Sequence, residues 1–137
     1  MKSSFVMLML LVLGSAAVHA QVAVIANKAV GTDALTAAQA TSIYVLDSKS
    51  WPSGEKVVVF DSKVAGVREK FYGFIGKTES DLKKTWMRVQ LSGNGKAPEA
   101  LGSDDEVLEK VGATPGAIGF VSAGKVKGNV KVVVTIP

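Results

Sequence analysis

Four residues close together could hold an anion. In "FDSKVAGVREKF", residues 60 to 71, Ser62 offers a hydroxyl, Lys63 and Arg68 offer cations, and Gly66 leaves backbone N–H groups uncovered. The stretch follows the apolar run Val57-Val58-Val59 and reads as the end of a strand, a short loop and the first turns of a helix. A helix N-terminus has orphan N–H donors and the positive end of the dipole, so such a corner suits an oxyanion. The plainer expectation is that Ser62 only caps the helix and that Lys63 and Arg68 are a solvated flank.

Other constellations are weaker. "SGNGK" (92–96) lacks the spacing of a nucleotide loop, since Lys96 is followed by Ala97-Pro98, and Asn94-Gly95 is expected to supply left-handed turn conformations. Asp104, Asp105 and Glu106 fall in the first turn of a helix, where acids favour the dipole, and lack calcium-loop spacing. Asn27-Lys28 ends a strand and is expected to be a plain turn. Trp86, at helical spacing with Leu82 and Val89, is expected in the core, and Trp51 is expected to pack its loop onto the sheet. The chain has no cysteine, and its one histidine is His19, so thiol and imidazole chemistry and the usual zinc ligands are missing beyond that point. An enzyme is not expected, and neither a metal nor a cofactor.

The first twenty residues read as a secretory signal. Lys2 precedes the apolar "FVMLMLLVLG", too short to span a bilayer comfortably, and Val18-His19-Ala20 is a small-x-small cleavage pattern. Cleavage after Ala20 leaves residues 21–137 as one domain, and loss of Lys2 lowers the net charge from +4 to +3. A soluble periplasmic or secreted protein is expected, without membrane insertion. No basic run with interleaved aromatics points to nucleic acid.

The elements that must position the corner alternate between strand and helix. "QVAVIANK" is a strand, and a helix follows in "GTDALTAAQATSIYVL", with Thr36 and Gln39 as a capping box and Ala40, Ile43 and Tyr44 on one face. "KVVVF" (56–60) reads as a buried strand. Val64, Val67, Phe71 and Phe74 mark the second helix, which Gly76 ends, and "TESDLKKTWMRVQL" is the third, capped by Thr78. Ser103 and Glu106 form a second capping box opening the fourth helix; strands follow in "TPGAIGFV" and "VKVVVTI". The alternation predicts an α/β domain with a mixed sheet flanked by helices.

In order, "LTAAQATSIYVLDSKSWPSGEKVVVF", "VREKFYGFIG", "TWMRVQLSGNGKAP" and "TPGAIGFV" resemble the phosphate-binding-protein-like branch of the periplasmic solute-binding superfamily. The resemblance implies a single lobe of a type II periplasmic-binding-protein-like fold, residues 21–137, in a family where two lobes close on an oxyanion for an ABC importer. It also implies a ligand site at Ser62, Lys63, Gly66 and Arg68. Against the family's anion loop, Ser62, Gly66 and Arg68 are kept, while Asp61 replaces an arginine, Val64 a glycine, and Ala65 and Val67 two hydroxyl residues. Two functions are therefore expected to compete: a receptor for phosphate or another small oxyanion, and an interaction module that docks an exported or inner-membrane protein.

Overall fold

The computed structural model describes residues 21–137; the expected signal segment, 1–20, lies outside the described residues. The elements run β1 (Val22–Asn27), α1 (Ala37–Tyr44), β2 (Val58–Ser62), α2 (Ala65–Phe74), α3 (Glu79–Leu91), β3 (Glu99–Leu101), α4 (Asp104–Ala113), β4 (Ala117–Ser122), a 3-10 turn at Ala123–Lys125, and β5 (Val130–Ile136). The strands form one mixed sheet in the order β3-β2-β4-β1-β5. β2 is parallel to β3 and β4, while β1 is antiparallel to β4 and β5.

Strand alternation sends side chains into two cores. Val22, Val24 and Ala26 join Ile118 and Phe120 against Ile43, Tyr44, Phe71, Leu82 and Trp86 of the α1–α3 layer. Ala23, Ile25 and Val121 face the other way, onto Val107, Leu108 and Val111 of α4. β1 is buried on both faces, which is why its sequence is continuously apolar. α4 approaches the sheet at Gly119, where a Cβ would lie 2.8 Å from Val107 Cγ1 and 3.0 Å from Val111 Cγ2. Gly119→Ala is expected to push α4 outward and lower stability by about 1–3 kcal/mol, measurable by chemical denaturation.

The starts of α1, α3 and α4 follow the expected caps. Thr36 and Thr78 form capping boxes with Gln39 and Asp81, and Ser103 accepts from the Glu106 N–H. Glu106 does not return the bond to Ser103; its carboxylate accepts from the Gly102 N–H, so this cap is not a reciprocal box. Both indoles are buried and satisfied: Trp51 Nε1 donates to the Gly116 carbonyl at 2.9 Å and Trp86 Nε1 to that of Tyr44 at 2.7 Å. Gly76 ends α2 in a left-handed conformation (φ 67°).

Two expectations shift, and one strand is added to those expected. β2 occupies 58–62 rather than 56–60, because Lys56 and Val57 pair back to Ser50 and Lys49. The short β3, which has no apolar run of its own, pairs with Phe60–Ser62. In the 92–96 turn the left-handed residue is Gly93 (φ 75°), not Asn94 or Gly95.

Candidate functional site

The loop from β2 to α2 builds the corner. Ser62 is the last residue of β2 and is fully buried, with its Oγ accepting from the Val64 N–H at 3.2 Å. It is not the N-cap: that residue is Val64, which has no side-chain acceptor to offer. Lys63 is exposed and tied by its N–H to the Leu101 carbonyl at 2.8 Å. The first intrahelical bond of α2 is Arg68 N–H to Val64 O at 2.8 Å, so the N–H groups of Ala65, Gly66 and Val67 lie in the unbonded first turn. Gly66 is exposed, and a Cβ there would meet nothing within 4 Å.

Arg68 is neither a free ligand nor a solvated flank. Its Nη2 lies 2.9 Å from Asp61 Oδ2 and its Nη1 lies 3.2 Å from Glu79 Oε1. Its guanidinium carbon stands 5.7 Å from the centre of the Tyr72 ring, within cation–π range. The Tyr72 hydroxyl sits between the two Asp61 oxygens, at 3.0 and 2.9 Å, and donates to that carboxylate. Asp61 is only 1% exposed, so a buried carboxylate is compensated by one guanidinium and one phenol.

The titration shifts agree with this closed cluster. Burial, then the Asp61 charge, raises the Tyr72 phenol well above its ordinary range, and Tyr44 is raised by the same two causes. Burial works against the Arg68 charge, but the Asp61 charge and hydrogen bond, with Tyr72 and Glu79, together outweigh it, and the guanidinium holds its proton more tightly. Glu79 is lowered, first by its hydrogen bond to Lys83 and then by the Lys83 and Arg68 charges.

The structure thus brings Ser62, Lys63, Gly66 and Arg68 to one corner but turns the Arg68 head toward Asp61 and Glu79. Asp61 and Tyr72 are the residues that sequence reasoning missed as partners. The signal was present: Arg68 and Tyr72 are four apart on one helix face, just after a strand ending in an acid. Asn27 is structural: it is buried, donates to the Val111 and Gly112 carbonyls at 2.9 and 3.1 Å, and accepts from the Ala29 N–H. The acids at 104–106 stay in the first turn of α4, and no cluster of metal-ligating residues occurs among the described residues.

A five-stranded mixed sheet with this order, covered by helices on both faces, matches solved structures. A protein from Clostridium perfringens designated a phosphate ABC transporter substrate-binding protein, solved with bound phosphate, superposes with a TM-score of 0.68 at 21% identity, over 83% of this chain and 45% of that one. The chain has the fold of a phosphate-receptor lobe. An ABC-type phosphate transport receptor from Vibrio cholerae matches with a TM-score of 0.65 at 22% identity, over 83% of this chain and 46% of its own. PstS from Borrelia burgdorferi gives a TM-score of 0.60 at 17% identity, over 83% and 47%. The chain therefore spans less than half the length of the phosphate-receptor structures that it matches. No family model matches the sequence, and no curated protein does.

Proposed function

We propose that this is an exported, non-catalytic binding lobe that uses the phosphate-receptor scaffold to dock another exported or inner-membrane protein. The observation that favours this reading over an oxyanion receptor is the Arg68–Asp61 pair at 2.9 Å: the corner's arginine is neutralised from within. An incoming oxyanion would have to displace a buried carboxylate that also accepts from Tyr72. Ala65 and Val67 supply no hydroxyl to compensate, and each missing charge-assisted bond counts at about 1.5–3 kcal/mol. Export is supported by the Lys2, apolar core and Val18-His19-Ala20 pattern, and the lack of catalysis by the absence of cysteine and of any histidine after His19.

A second reading is favoured by the fold likeness and by the exposed first turn of α2: a receptor for phosphate or a related oxyanion that serves an ABC importer. The anion would touch Ser62, the backbone at Gly66, Lys63 and Arg68. Calorimetric titration with phosphate and sulfate separates the two. The docking reading expects no saturable binding tighter than about 1 mM, which corresponds to about −4.1 kcal/mol. A micromolar site for either ion would establish the receptor and overturn the docking reading.

A further inference from the structure

A second concavity lies upstream of the corner, beside the first residues of β2. It has a volume of about 580 Å³ and is bounded by the segments 46–49, 56–60 and 94–99. β3 covers β2 only from Phe60 onward, while β4 pairs with Val58 and Val59, so this end of β2 has a neighbour strand on one side and the concavity on the other. Leu46, Val59 and Ala97 line it and pack on the larger core, leaving a patch of that core only partly covered.

Three cations surround this apolar floor. Lys49, Lys56 and Lys96 all line the concavity, all are exposed, and none takes part in an ion pair among the described residues. Lys49 Nζ donates to the Asn94 carbonyl at 2.8 Å and so ties the two loops that form the walls. Glu99 is the one carboxylate in the lining, against three ammonium groups. Leu46, in the wall, has φ 65°, the one non-glycine residue in the left-handed region among the described residues. That conformation belongs to the cap that ends α1: Leu46 N–H donates to the Ile43 carbonyl at 3.1 Å and Asp47 N–H to that of Ser42 at 3.0 Å, which fixes Leu46 in the wall.

We infer that this groove binds a small amphiphilic carboxylate, its apolar body on Leu46, Val59 and Ala97 and its head among the three lysines. The volume falls in the range of small-molecule sites, roughly 300–1,000 Å³. Burial of an apolar tail supplies affinity, and the excess of positive charge selects an anionic head. This site is separate from the α2 corner and does not depend on either reading of it.

The test is calorimetric titration of the purified protein with octanoate, with acetate and 1-octanol as probes of the head and the tail alone. Octanoate is expected to bind saturably, and each partial probe at least tenfold more weakly. Lys56→Gln combined with Lys96→Gln is expected to weaken octanoate by about tenfold or more, since charge-assisted contacts are lost. Both lysines are exposed, so the fold should survive, and an unchanged thermal midpoint verifies it. A flat octanoate trace, equal binding of 1-octanol, or unchanged affinity in the double variant would overturn the inference.

Discussion

Asp61→Ala is expected to destabilise the protein by about 3–5 kcal/mol, the cost of removing one partner from a buried ion pair. The Asp61 carboxylate is 1% exposed and holds both Arg68 and Tyr72, so its removal leaves a cation and a phenol facing a void. Water reaches the Arg68 end, whose side chain is 21% exposed, and Glu79 remains within 3.2 Å, which places the loss toward the lower part of that range. Urea denaturation of the single variant and of Asp61→Ala combined with Arg68→Met checks the cause. The double variant should be less damaged than Asp61→Ala alone, because no cation is then stranded. Asp61→Asn carries a functional corollary: with Arg68 released, the corner should gain affinity for phosphate, while an unchanged titration would show that Asp61 is not what suppresses it.

Phe71→Ala is expected to cost about 3–5 kcal/mol, the range for truncating a buried aromatic side chain. Phe71 is fully buried, stacked on Phe120 at 4.1 Å and 11° and met edge-on by Tyr44 at 4.6 Å. These three rings join α2, β4 and α1, and the Tyr44 hydroxyl continues the tie by donating to the Phe60 carbonyl at 2.8 Å. Phe71→Leu keeps most of the volume and should lose much less, about 1.5 kcal/mol or under. Equal losses in the two variants would show that the ring geometry, not the filled volume, is what matters.

The helices were legible because their signals are local. Thr36, Thr78 and Ser103 each mark a start through a hydroxyl and a residue three places on, and buried spacings such as Ala40, Ile43 and Tyr44 report one face. The strands were legible where burial on both faces makes them continuously apolar, as in Val22–Asn27. β3 escaped because Glu99-Ala100-Leu101 has no pattern, and its state is imposed by pairing with β2. The register of β2 was misjudged by two residues because a buried strand was expected to be wholly apolar, whereas Asp61 and Ser62 are buried polar members of it. The corner's residues were found, but their chemistry was not. Whether Arg68 meets solvent or Asp61 depends on how α2 lies on β2, and that contact is tertiary. The same holds for Ser62, whose hydroxyl is taken by Val64 two residues on instead of by the helix.

The sheet order also governs when the protein can acquire its structure. β1, the first strand, is bonded to β4 and β5, the last two, and a parallel pairing joins β2 to β4. Contacts between such distant segments must close long loops before they return any stability, which slows folding. A nascent chain therefore has no completed sheet until Val130–Ile136 has emerged from the ribosome.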